Sequence, residues 1–272
     1  MKALLLIAIL FTAGCSSKNK KFALPNKDVC FLLFHLKTST FDEISNQKNC
    51  ETQLPAASTF KVPLAVMAFD ADVLKDESTS FKWNGVRQSI EPWNKDQTAS
   101  SWMKESVVWV SQEITTKLGQ EKIVNYLKSF DYGNKNMEGG LKYSWLTPAP
   151  SLTQDNKNSL KISGFEQIHF LKNLWRAELK ASTTAQLKTI GLLKKETSPS
   201  GLKWLMGKTG SGTVGANYNQ RLGWWVGYLE TGHDQYVVVV NFVENESTGQ
   251  KAYGGPEAYE HVKEFLAKKD LW

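Results

Sequence analysis

Ser58-Thr59-Phe60-Lys61-Val62-Pro63-Leu64-Ala65-Val66-Met67-Ala68-Phe69 joins a hydroxyl and an amine to a long apolar run. Serine is a poor nucleophile until a base takes its proton. If Ser58 opens a helix, Lys61 lies one turn further on the same face, and its amine can reach the hydroxyl. The run that follows is that of a buried helix. A helix N-terminus and an apolar shell both disfavour an ammonium, so Lys61 should give up its proton more readily than a surface lysine. Pro63 sits at the edge of what a first turn tolerates, which implies a slightly later helix start or a local bend.

Working outward, residues 29–47 read as two strands. From Ser58 to about Lys195 the signals are mostly helical. Val107, Val110, Ile114 and Leu118 recur at helical spacing, and Gly119 can end that helix. Ser163-Gly164-Phe165-Glu166 is a capping box ahead of Ile168, Leu171 and Trp175. After Gly201 the pattern changes. Leu202 to Met206, Leu222 to Leu229 and the Val-rich Tyr236 to Val243 read as strands, with Gly232 and His233 at a turn. Pro256 then opens a closing helix with Tyr259, Val262 and Phe265 on one face.

The predicted fold class is therefore mixed α/β. One antiparallel sheet is built from both chain ends and flanked by helices, and an all-helical lobe is inserted between them. Residues 25–57 and about 200–272 form the sheet lobe and about 58–199 the helical lobe, together a single domain over 25–272. A cleft between two lobes is a natural ligand site.

The 272 residues leave enough chain for a substantial core. The net charge of +6 comes from lysines scattered among acids, with no basic block, which argues for a solvated surface and against nucleic-acid binding. Residues 1–15 read as an export signal: Lys2 supplies the charged start, and Ala3 to Ala13 is an apolar run too short to span a membrane. Small residues before Cys15 resemble a lipoprotein cleavage site, with Cys15 lipidated and 16–24 as a tether. Thr12 stands where such sites usually carry Leu or Val, so ordinary cleavage near Ala13-Gly14 stays open. The protein is expected in the periplasm or cell envelope, touching membrane only through that lipid. Cys30 and Cys50 remain as an even pair in an oxidising compartment, and a hairpin of the two early strands would bring them towards each other. No CxxC or HxH spacing suggests a metal. His35, His169, His233 and His261 match no motif and read as structural or surface residues.

A second chemical motif lies far down the chain. Lys208-Thr209-Gly210 follows a strand signal and precedes Ser211-Gly212-Thr213, so a strand edge there can present a cation, a hydroxyl and backbone N–H groups to an anionic substrate. The triplet expected between SxxK and KTG in class A β-lactamases is SDN; here it is Ser106-Val107-Val108. This combination resembles the class D β-lactamases, the oxacillinase family within the penicillin-recognising serine hydrolases. Phe130-Asp131-Tyr132-Gly133-Asn134, Pro92-Trp93-Asn94-Lys95-Asp96, Trp102-Met103-Lys104-Glu105, Trp145-Leu146 and Gly223-Trp224-Trp225-Val226-Gly227 fit the same family, over about 30–243.

The resemblance implies hydrolysis of β-lactams through an acyl-enzyme on Ser58. Lys61 is similar to the lysine that members carboxylate with carbon dioxide or bicarbonate, and no other cofactor is implied. Trp145 would donate its indole N–H to that carbamate. Val108 would keep the pocket dry, and Leu146 would border the path of the deacylating water. Ser106 would relay a proton to the leaving nitrogen, with Lys208 holding that network. The backbone N–H groups of Ser58 and Ser211 would form the oxyanion hole. Trp93, Thr209 and Gly210 would line the substrate site, and Tyr132, Gly133 and Asn134 would shape it. One departure stands out: the family usually places an arginine after the last strand for the substrate carboxylate, and here Gly249 to Tyr259 contains none, with Lys251 as a possible substitute lacking the bidentate fork. Rival readings are a β-lactam sensor domain, a cell-wall transpeptidase or carboxypeptidase, and a non-catalytic envelope lipoprotein.

Overall fold

A computed structural model describes residues 22–146, 160–215, 218–245 and 253–272. Cys15, Lys251, the leader and the tether up to Lys21 lie outside them. In chain order the strands are β1 Lys27–His35, β2 Thr40–Ser45, β3 Leu54–Pro55, β4 Ser80–Phe81, β5 Gln97–Thr98, β6 Lys161–Ile162, β7 Lys194–Thr197, β8 Trp204–Val214, β9 Gln220–Glu230 and β10 Gln235–Glu244. The helices are α1 Gln47–Glu51, α2 Lys61–Asp70, α3 Ala99–Glu105, α4 Val108–Leu118, α5 Gln120–Ser129, α6 Gly164–Trp175, α7 Thr183–Gly191 and α8 Gly254–Ala267.

The main sheet runs β2-β1-β10-β9-β8-β7 and is antiparallel throughout. The first strand pairs with the last, Leu32 opposite Val239, so both chain ends share one sheet as the sequence predicts. The Val-rich run has no polar alternation because β10 is buried on both faces. Val238 and Val240 pack with Phe31, Leu33, Val262 and Phe265 under α8. Val237 and Val239 face the helices with Leu32, Phe34 and Trp224.

Three local expectations are refined. Pro63 is accommodated because a 3-10 turn, Ala57–Phe60, precedes α2, which starts at Lys61. Pro63 is then in the first turn, where its missing N–H would have had no helical partner. The strand placed at Leu202 to Met206 instead starts at Trp204 and continues to Val214, so Lys208-Thr209-Gly210 lies inside a strand, not after one. The sheet also takes in β7, upstream of residue 200, which pairs only with Trp204 to Gly207. From Lys208 onward the outer edge of β8 has no strand partner among the described residues.

Cys30 and Cys50 form a disulfide between β1 and α1. A Cβ on Gly164 would lie 2.8 Å from the Cys30 sulfur, so the first turn of α6 rests directly on that bridge. The Ser163–Glu166 capping box is present, with the Ser163 side chain accepting from the Glu166 N–H and Glu166 accepting from the Ser163 N–H.

Candidate active site

The 3-10 turn brings Lys61 Nζ to 3.3 Å from Ser58 Oγ. Reaching this geometry requires Ala57 to adopt a left-handed conformation, φ +47°, which costs a non-glycine residue about 1 kcal/mol. Thr59 secures the turn. Its hydroxyl donates to the Ala56 carbonyl at 2.6 Å and accepts from Gln167 Nε2 at 3.0 Å. Gly210 of β8 approaches so closely that a Cβ there would sit 3.0 Å from Thr59 Cγ2. The glycine thus lets the β8 edge lie against the nucleophile's turn.

Lys61 is fully buried. Desolvation first, and then the charge of Lys208, hold its amine well below the usual lysine range. Its nitrogen lies 5.3 Å from the centroid of the Trp145 ring. The indole N–H of Trp145 points to the Leu141 carbonyl at 3.4 Å. The indole donor expected for the lysine is thus engaged by a long bond to a carbonyl. Lys208 is only 4% exposed, and burial pulls its amine down to about 7. It donates to the Thr209 carbonyl at 2.9 Å.

Ser106 caps the C-terminus of α3 with φ +58°, a second left-handed non-glycine residue. Trp93 is held against the same helix end by an Nε1–H bond to the Glu105 carbonyl at 2.9 Å. These elements enclose a cavity of about 430 Å³ lined by Ser58, Trp93, Ser106, Val108, Leu146, Thr209 and Ser211. Lys61, Trp145 and Gly210 lie behind that wall. Lys208 lines an adjoining compartment of about 240 Å³ that shares Lys104, Thr209 and Pro256 with the first. The sequence reading missed Ser89, Ile90, Lys104, Glu105, Tyr253 and Pro256 as lining residues; Lys104 and Glu105 fall within a quoted motif, whereas Ser89 and Ile90 carry no signal at all. A larger open groove of about 700 Å³ beside α5 has no counterpart of the Ser58–Lys61 pair among its lining residues.

Tyr132, Gly133 and Asn134 stand one layer away. Gly133 has φ +53°, and a Cβ there would fall 2.1 Å from the Lys161 carbonyl. Asn134 bonds Lys161 in both directions, N–H to carbonyl at 3.0 Å and Oδ1 from N–H at 3.1 Å. Since β6 pairs with β3, just ahead of Ser58, this motif braces the approach to the nucleophile. Burial raises the Tyr132 phenol above its ordinary range.

The fold and this site find matches among known proteins. The penicillin binding protein transpeptidase domain matches residues 19–267. Beta-lactamase OXA-1 of Escherichia coli is 41% identical over 218 residues, 77% of this chain and 74% of that one. Regulatory protein BlaR1 of Staphylococcus aureus is 31% identical over 224 residues, 82% of this chain but 35% of that protein. Among solved structures, the class D β-lactamase from Sebaldella termitidis superposes with a TM-score of 0.80 at 26% identity, covering 90% of this chain and 92% of the other. The chain belongs to the class D β-lactamase family, within the penicillin-recognising fold.

Proposed function

We propose that the protein hydrolyses β-lactams through a covalent ester on Ser58. The observation that carries this reading is the fully buried amine of Lys61, 3.3 Å from Ser58 Oγ and depressed by desolvation. Lys61 takes the hydroxyl proton as Ser58 Oγ attacks the lactam carbonyl carbon. The lactam C–N bond breaks, and the proton now on Lys61 passes through Ser106, held in place by Lys208, to the departing nitrogen, which leaves Lys61 a free base again. Water then attacks the ester carbonyl, Lys61 takes its proton, and as the bond to Ser58 Oγ breaks Lys61 hands that proton to Oγ. Backbone N–H groups of Ser58 and Ser211 stabilise the carbonyl oxygen at each stage, worth about 3 kcal/mol per donor in comparable sites.

A neutral, buried amine also fits addition of carbon dioxide. Bound there, it would supply a negatively charged base able to accept a proton in both half-reactions, held by Ser58 and the Trp145 indole N–H. Export to the periplasm or cell envelope belongs to the same proposal, with Cys15 as lipid attachment point. Among the described residues no helix is long and apolar enough to cross a membrane.

The similarity to BlaR1 favours one second reading, a sensor that is acylated and then stalls. Nitrocefin hydrolysis by the mature protein separates them. Sustained turnover that disappears in Ser58→Ala supports the enzyme. One equivalent of ester with no turnover supports the sensor, and full turnover by folded Ser58→Ala overturns both.

A further inference from the structure

The first turn of α8 lies over neighbouring strands β8 and β9 with almost nothing between them. The Gly255 N–H donates to Ser211 Oγ at 2.8 Å. A Cβ on Gly255 would fall 2.9 Å from Ser211 Oγ and 3.0 Å from the Gly210 carbonyl oxygen. A Cβ on Gly254 would fall 2.5 Å from the Leu222 carbonyl oxygen, and one on Gly223 would fall 2.4 Å from the Gly254 oxygen. The helix start therefore meets β9 backbone to backbone at Gly254 and Gly223, and meets β8 at the Ser211 hydroxyl and the Gly210 carbonyl. The only side chain in the link to β8 is the short Ser211 hydroxyl arm with its single χ1, so a shift of this turn reaches Ser211 with little slack.

What fixes the turn is not a cap, because Tyr253 at the N-cap makes no side-chain cap hydrogen bond. The anchor is Glu257. Its carboxylate binds Arg221 Nη2 at 2.5 Å and pairs closely with Lys27, and His261 Nε2 lies 3.4 Å away. Arg221 is held in turn by Glu244, with its Nε at 3.1 Å and Nη2 at 2.5 Å from Oε1. Lys27 and Glu244 face each other across β1 and β10, and Arg221 on β9 lies opposite Thr213 of β8. The Arg221 and Glu244 side chains are 11% and 6% exposed, so solvent screens that pair little, while Glu257 at 28% is partly open to it. Two strands, β1 through Lys27 and β9 through Arg221, thus hold one carboxylate on α8, and β10 steadies Arg221 through Glu244.

We infer that Glu257 is a positioning residue for the Ser58 site: its ion pairs fix the first turn of α8, and the Gly255–Ser211 bond passes that position to the backbone of β8. The inference rests on the proposed role of the Ser211 N–H as an oxyanion donor. A displaced donor loses part of its effect on the transition state while substrate binding is little changed.

The test compares wild type with Glu257→Gln, which keeps the volume and removes the charge, and with Glu257→Asp, which keeps the charge. Hydrogen exchange without substrate is followed over 208–213 and 254–258, and the acylation rate constant and substrate dissociation constant are measured with a chromogenic β-lactam. Glu257→Gln should exchange faster in both segments and acylate about tenfold more slowly at a nearly unchanged dissociation constant, with Glu257→Asp intermediate. Wild-type exchange over 208–213 in the folded Gln variant overturns the coupling. Faster exchange with wild-type acylation overturns the positioning role. If Glu257→Gln does not fold, the same readings are taken on Glu257→Asp and on Gly255→Ala, which perturbs the contact from the helix side. If the wild type itself is not acylated, the proposed function fails, and the substrate-free exchange still decides the coupling.

Discussion

Replacing Lys61 by Met should stabilise the protein while abolishing its turnover. Lys61 is fully buried, and among the described residues its amine has one hydrogen-bond partner, Ser58 Oγ at 3.3 Å. An ammonium carries three donors, so most of its hydrogen-bonding capacity is unmet when it is charged. Leaving a buried polar group unsatisfied costs about 1–3 kcal/mol, and Met fills a similar volume without that demand. In buffer freed of carbon dioxide, Lys61→Met should therefore gain about 1–3 kcal/mol, seen as a rise in Tm of about 2–4 °C per kcal/mol for a chain of this size. The effect has a defined pH dependence. The folded-state pKa of Lys61 lies well below the ordinary value of 10.5. Between the two values the unfolded chain binds a proton that the native amine does not, so wild-type stability rises with pH. The Met variant does not titrate there. The gap should be widest below the folded pKa and should narrow towards 10.5. Urea unfolding of both proteins at a series of pH values measures it. A Met variant less stable than wild type near neutral pH, or a gap that widens with rising pH, refutes the view of Lys61 as an amine buried for chemistry at a cost in stability.

Two further predictions concern carbon dioxide and the N-terminus. Trp145→Phe keeps an aromatic ring near Lys61 and removes the indole N–H. Its activity should need more added bicarbonate than wild type after degassing, and equal dependence of the two proteins would show that the N–H does not hold the carboxylated lysine. Cys15→Ser should move the protein from the membrane to the soluble fraction of a lipoprotein-competent host, whereas a wild type already soluble there favours ordinary signal cleavage.

Much of this architecture is legible in local sequence because periodicity and caps act over a few residues. The spacing of Ser58 and Lys61, the capping box at Ser163, the helix ending at Gly119 and the doubly buried valines of β10 each need only their neighbours to be read. The tertiary structure decided what depends on distant segments meeting. Lys208-Thr209-Gly210 became part of a long strand because β9 pairs with it all the way to Val214, a contact no local pattern encodes. Ala57 and Ser106 take left-handed conformations without being glycine, held by packing around the site and not by intrinsic preference. Burial of Lys208 follows from helices and sheet closing over it, and with it the fall of its amine to about 7. Glu257 reads in sequence as an ordinary acid in a first helical turn. Its tie to Lys27 and Arg221 exists only because the first strand, the ninth and the last helix converge, and charges on separate segments acquire partners only when the chain brings them together.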